Sequence, residues 1–177
     1  MIIGLGGKKQ SGKNFAAQLI QQHIYSNFIQ RAFADPMKRA ICDAFQLKDF
    51  DEYDKFKQGH IEFVDKIVLN RHITRSVGMT MVEAQPNLFV DYIKNEYQRH
   101  PHLIITDVRR RREIDFIKQY DHILIYIHKD GDLSDNHITE NEVSSLDFDH
   151  IIDNNYTTES ANSTSNLLIQ LKEILIK

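Results

Sequence analysis

The sequence has a single cysteine among its 177 residues, so Cys42 has no internal partner and a disulfide framework is excluded. That suits a reducing compartment. No apolar run approaches the ~20 residues of a membrane span, and no cationic leader followed by an apolar stretch opens the chain. A surplus of one charge is also missing: 22 Lys and Arg stand against 25 Asp and Glu, a net charge of −3. So balanced a chain has no global basic field to recruit nucleic acid or a membrane surface. Nine histidines are scattered along it, with no HExxH and no cysteine partners, so a metal site built by protein ligands alone is not expected. Internal repeats, low-complexity tracts and linkers are lacking. The expectation is one cytoplasmic domain, large enough to bury about 70% of its unfolded surface.

What is present starts at once. Ile2, Ile3 and Leu5 form a short apolar run with the character of a buried strand. Gly7-Lys8-Lys9-Gln10-Ser11-Gly12-Lys13-Asn14 follows. Beyond it Phe15, Ala16, Leu19, Ile20, His23 and Ile24 mark one face of a helix. Strand, glycine-bracketed loop, Gly-Lys and helix form the context that turns a phosphate-loop pattern into a site. Gly7 and Gly12 allow backbone conformations closed to other residues, so successive N–H groups can point inward at an anion. The helix adds its unpaired donors and the positive end of its dipole. Lys13 can then set a point charge on the β- and γ-phosphates. Gly7, Lys9, Gln10, Ser11, Gly12, Lys13 and Asn14 are the candidate ATP-binding residues. Asn14 stands where a Ser or Thr usually binds magnesium; its amide oxygen can coordinate the ion, or a water that does. The plainer alternative is a glycine turn with a solvated lysine.

Phe28 to Ala34 reads as a second strand, ending at Asp35-Pro36. Pro36 suits a first helical turn, and Met37, Ala40, Ile41, Ala44 and Phe45 supply an apolar face. Residues 48–60 are charged with isolated aromatics and read as an exposed excursion. Weak helical signals run from Ile61 to Leu69, and Arg71 to Arg75 leads into a segment containing Gly78. Leu88, Phe89, Tyr92, Ile93 and Tyr97 mark another helix, with Asn87 as its cap.

Leu103-Ile-Ile-Thr-Asp107 is a buried-strand run ending in an aspartate. There, at the strand's C-terminal end, α/β sheets place their ligands, and the carboxylate could hold magnesium directly or through water. Capping the next helix is the other reading of Asp107, and both can hold. Arg109-Arg110-Arg111-Arg112-Glu113 comes next. Arg109 and Arg112 would share a helical face, Arg109 and Glu113 could pair, and Arg110 and Arg111 read as outward and solvated. Ile114, Ile117 and Tyr120 would form the inner stripe. His122 to Ile127 reads as a fourth strand and Phe148 to Ile152 as a fifth. Residues 129–147 are acidic, with Lys129 as their one strong cation. Leu167, Leu168, Leu171, Ile174 and Leu175 mark a C-terminal helix. Five strands alternating with helices predict an α/β, three-layer fold with a mostly parallel sheet covered on both faces.

The phosphate loop, Ala34-Asp-Pro-Met-Lys38, Thr106-Asp-Val-Arg109 with Glu113, Ser134-Asp-Asn-His-Ile-Thr-Glu140 and Ile151-Ile-Asp-Asn154 occur in this order. Together they resemble the phage-type deoxynucleoside monophosphate kinases, over nearly the whole chain and least between 46 and 100. The resemblance implies a phosphate-loop kinase fold with a core at 1–44, 87–128 and 148–177. It adds a monophosphate-binding excursion at about 45–86 and a lid at about 129–147. It implies transfer of the γ-phosphoryl of ATP to a deoxynucleoside monophosphate with Mg2+. Lys13, Asp107 and Arg109 would be catalytic, and Asn14 and Asp107 would serve magnesium, partly through water. Asp35, Lys38, Arg75, Arg109, Glu113, His137 and Glu140 would bind the acceptor or the closing lid, with Lys129 in the lid. The lid has no arginine, where related kinases usually carry one. The partners implied are small molecules, with neither nucleic acid nor membrane, in the host cytoplasm if the gene is phage-borne. Monomer and homodimer both fit. Two rivals stay open: a dephospho-coenzyme A kinase-like enzyme, and a nucleotide-dependent switch or binding protein.

Overall fold

The structure, a computed structural model, describes residues 1–62, 67–130, 142–155 and 162–176. Its elements run β1 (Ile2–Gly6), α1 (Lys13–His23), β2 (Ile29–Arg31), α2 (Asp35–Phe45), α3 (Phe50–Gln58), β3 (His60–Glu62) and β4 (Ile67–Leu69). Then follow α4 (Asn70–Ala84), α5 (Leu88–Arg99), β5 (Leu103–Val108), α6 (Arg111–Ile117), β6 (His122–His128), β7 (His150–Asp153) and α7 (Asn162–Leu175). The chain divides into two compact units, residues 1–32 with 95–177, and residues 33–94.

The first unit is built on a five-stranded sheet in the order β2-β5-β1-β6-β7, with every adjacent pair parallel. Strands buried on both faces need continuous apolar runs. Ile2-Ile3, Leu103-Ile104-Ile105 and Leu124-Ile125 meet that need, each fully buried. On one face Ile3, Leu5, Ile104, Ile125 and Ile152 pack with Ala16 and Ile20 of α1 and Leu167, Leu171 and Leu175 of α7. On the other face Gly4 admits α6: a Cβ there would lie 3.1 Å from Ile117 Cδ1 and 2.6 Å from Leu124 Cδ2. Each fully buried Ile or Leu in these layers contributes about 1.5–3 kcal/mol. The α/β, three-layer expectation therefore holds. β1 lies at the middle of the sheet, so its C-terminal end opens into the region where α/β sheets hold ligands.

The second unit holds α2, α3, the hairpin β3–β4, α4 and the start of α5. Its core is Ile41, Cys42 and Tyr53, with Met37, Leu47, Phe50, Phe56 and Val77 against them. Three sequence expectations are corrected here. Residues 48–60 are not a wholly exposed excursion. Asp49 caps α3 by accepting the Glu52 N–H at 2.9 Å, and that helix carries Tyr53 inward to 1% exposure. Ile61-Glu62 and Ile67 to Leu69 are strand rather than helix: β3 and β4 pair antiparallel, Ile61 opposite Val68. Apolar runs this short fit either period, and pairing decides. On α2, Ala40 and Ala44 are exposed, and the buried positions are Asp35, Ile41 and Cys42. Helix α4 runs unbroken through Gly78, whose Cβ would lie 2.8 Å from Met37 Sδ; close approach to α2 is what a glycine permits there. No helix among the described residues is long and apolar enough to cross a membrane.

Candidate active site

The loop between β1 and α1 has three residues with positive φ: Gly7 at 133°, Gln10 at 65° and Gly12 at 99°. Such a sequence of turns curls the chain into a concavity whose amide dipoles can converge on an anion. Ser11 is fully buried, and Lys13, 8% exposed, is drawn into the curl rather than into water. Its Nζ donates to the carbonyl of Gly7 at 2.8 Å, to that of Lys8, and to Ser11 Oγ at 3.3 Å. Lys13 opens α1, so its charge and the helix N-terminus lie at one place. Lys9 is half-buried, and Gln10 and Asn14 are exposed.

Asn154, to which the sequence assigns no role, reaches this loop from the end of β7. Its Nδ2 donates to Ser11 O at 2.9 Å across 143 residues of chain. A Cβ on Gly12 would lie 2.5 Å from the same Nδ2. Its own N–H donates to His128 O at 2.8 Å, so the ends of β6 and β7 brace the loop. An asparagine after a short strand carries no local sign of such a contact.

Asp107 sits at the end of β5, where Gly4 pairs with Ile105 but Gly6 pairs with Val108. The ladder thus bulges at Thr106-Asp107, and bulges re-aim side chains beside sites. This puts Asp107 level with the start of the phosphate loop. Arg109 precedes α6, which starts at Arg111, so Arg109 and Arg112 do not share a helical face as expected. The link between Arg109 and Glu113 runs through the backbone: Glu113 Oε2 accepts the N–H of Arg109 at 2.7 Å and of Arg110 at 3.0 Å. Burial pushes the Glu113 carboxyl up to about 7. The Asp107 charge adds to the rise, and the two amides oppose it. Arg111 is more than solvated. It binds Asp147 at 2.6 Å, its N–H donates to Glu142 at 3.1 Å, and the Ser144 amide, then Arg111, hold the Asp147 carboxyl low.

In the second unit, Asp35 is buried at the start of α2 and takes Lys38 Nζ at 3.2 Å. Lys38 also lies 5.1 Å from the Phe50 ring centre. Arg75 is half-buried on α4, three residues before the Gly78 crossing with α2. Lys129 is exposed after β6. His137, Glu140 and most of the 129–147 interval lie outside the described residues. Among the described residues no group of three His, Cys, Asp or Glu could hold a metal. Magnesium does not require one: one or two protein oxygens with substrate phosphates suffice, and the carboxylate of Asp107 at the bulge suits that donor set.

A curled loop around a buried lysine, at the carboxyl ends of a parallel sheet, makes this a phosphate-loop protein. Residues 64–164 match the profile of the deoxynucleotide monophosphate kinase family. A protein of Acanthamoeba polyphaga mimivirus, named "Putative deoxynucleotide monophosphate kinase", is 30% identical over 181 residues, covering 90% of this chain and 91% of its own. The chain belongs to the deoxynucleotide monophosphate kinase family, and is accordingly a phosphotransferase acting on nucleotides. Among solved structures, dephospho-CoA kinase from Campylobacter jejuni aligns with a TM-score of 0.48 and 14% identity, over 99% of this chain and 97% of that one. TT1252 from Thermus thermophilus aligns at 0.47 and 12%, over 98% and 96%. Neither bears on the substrate.

Proposed function

We propose that the enzyme transfers the γ-phosphoryl of ATP to a deoxynucleoside monophosphate, with magnesium. The observation carrying this reading is the phosphate loop, with Lys13 held inside three left-handed residues. Phosphoryl transfer proceeds through a loose transition state whose charge spreads over oxygens, so catalysis is alignment and positive charge. The loop amides and Lys13 hold the donor phosphates. Gly7, Lys9, Gln10, Ser11 and Gly12 shape that cradle. Asp107, with Asn14 through its amide or a water, would hold magnesium, which would supply positive charge to the donor phosphates. Arg109 leaves the end of β5 beside Asp107 and binds the transferring or accepting phosphate bidentately. Lys38, steered by Asp35, and Arg75 take the acceptor's phosphate. No side-chain nucleophile is needed, since a phosphate acceptor is already ionised at pH 7.

Residues 45–86 act as the acceptor-binding excursion and 129–147 as the lid, with Lys129, His137 and Glu140 at its closure. The family resemblance supports this division. The enzyme works in the cytoplasm on small molecules alone. ADP formation measured with and without each deoxynucleoside monophosphate tests the proposal. Stimulation by a subset of them is expected. Stimulation by dephospho-coenzyme A instead, or slow turnover indifferent to every acceptor, overturns it.

A further inference from the structure

Glu113 is 6% exposed, which leaves it little surface for touching an acceptor. One oxygen of its carboxylate accepts the backbone N–H groups of both Arg109 and Arg110. Those amides stand where β5 has ended and α6 has not begun, outside ladder and helix alike. Backbone donors at a helix start have no intrahelical partner, and a segment that lacks ladder bonds is free to swing unless a side chain ties it. Glu113 itself cannot swing. Its neighbour Ile114 and the following Ile117 are fully buried, and Ile117 packs near Gly4 in the middle of the sheet. The carboxylate thus transmits the rigidity of the sheet-packed helix to the backbone of Arg109.

We propose that Glu113 is a positioning residue, a buried clamp on the Arg109 and Arg110 amides that fixes the backbone from which the Arg109 guanidinium reaches phosphate. The proposal rests on the phosphate-binding reading of Arg109. It also explains the four-residue spacing of Arg109 and Glu113. One helical turn brings the carboxylate back over the helix start, the reach of a capping carboxylate at the third helical position. A misplacement of about 1 Å at a phosphate-binding group can lower the rate on the order of 100-fold, so a clamp remote from the chemistry is visible in kcat.

A double-mutant cycle tests this, using steady-state kinetics with melting temperatures on the full chain. Glu113→Ala should lower kcat by roughly 10-fold or more and leave the KM for ATP unchanged. Glu113→Asp is one methylene too short and should behave like it. Glu113→Gln keeps an oxygen able to accept two N–H groups, and should recover at least about half of the loss on a logarithmic scale. In an Arg109→Ala background, Glu113→Ala should add less than about 2-fold, because residues acting through one another are not additive. A helix cap with no part in positioning would lower the melting temperature and leave kcat intact in the folded range; a loss of kcat that multiplied fully with that of Arg109→Ala would act without Arg109. Either of those kinetic results overturns the proposal. If Glu113→Ala does not fold, the Asp and Gln variants decide: equal activity in both overturns it. A silent Arg109→Ala overturns the reading of Arg109 instead, and the clamp with it.

Discussion

Gly12→Ala puts the loop geometry to a quantitative test. Gly12 sits at φ 99°, a conformation that costs a residue with a Cβ about 1–2 kcal/mol. The new methyl would also lie 2.5 Å from Asn154 Nδ2, so the amide must withdraw. Withdrawal breaks its bond to Ser11 O, now 2.9 Å, at about 1 kcal/mol. The sum, about 2–3 kcal/mol, corresponds to a loss of roughly 30- to 150-fold in an affinity. Because the strain is confined to the loop that would take the donor phosphates, the loss should appear in the KM for ATP. The KM for the acceptor should barely move. The decisive comparison is the same substitution in an Asn154→Ala background. There the obstruction is gone, only the backbone strain of about 1–2 kcal/mol remains, and the loss should shrink to roughly 5- to 30-fold. Equal losses in both backgrounds would show that Asn154 does not press on Gly12, and a loss under about 3-fold would refute the strain itself.

Lys13→Ala should abolish transfer without changing the melting temperature appreciably, and unchanged turnover at saturating ATP would overturn the phosphate-loop reading. Lys38→Ala and Arg75→Ala should raise the KM for the monophosphate far more than that for ATP; the reverse pattern would put them in the wrong pocket. Arg109→Lys keeps the charge but loses the planar fork, and should lose at least ~10-fold in kcat/KM, about 1.4 kcal/mol. Arg110→Lys measured beside it should change little, and equal small effects would reduce Arg109 to a solvated charge. The Glu113 carboxyl stands at about 7 in the fold against 4.5 for its ordinary value, so between these values the unfolded chain binds fewer protons. Stability should therefore fall as pH rises from 4.5 through 7, by on the order of 3 kcal/mol in total. Glu113→Gln should lack that slope, and parallel melting curves for the two proteins in magnesium-free buffer from pH 5 to 8 would contradict the burial of the charge.

The phosphate loop was legible because its physics is local. Two glycines, a lysine and a helix start lie within eight consecutive residues, and each conformation they need follows from the residue itself. The buried strands were legible for a related reason, since a parallel strand covered on both faces must be apolar throughout. Short segments were not. Ile67-Val68-Leu69 fits a helix or a strand, and only pairing with residues 60–62 made it β. Tyr53 lies among charged neighbours, yet capping by Asp49 sets the helix that carries it into a core. Spacing suggested a side-chain pair of Arg109 and Glu113 on one helix, but the bond that forms is from the Arg109 backbone N–H, because β5 stops and α6 begins on either side of it, a boundary set by packing. Asn154 shows the limit most sharply. Its contact with Ser11 joins residues 143 apart, and no local pattern records which loop a distant amide will meet. A sequence specifies conformations that neighbouring residues impose on one another; contacts between segments that meet only when the sheet assembles belong to the tertiary structure.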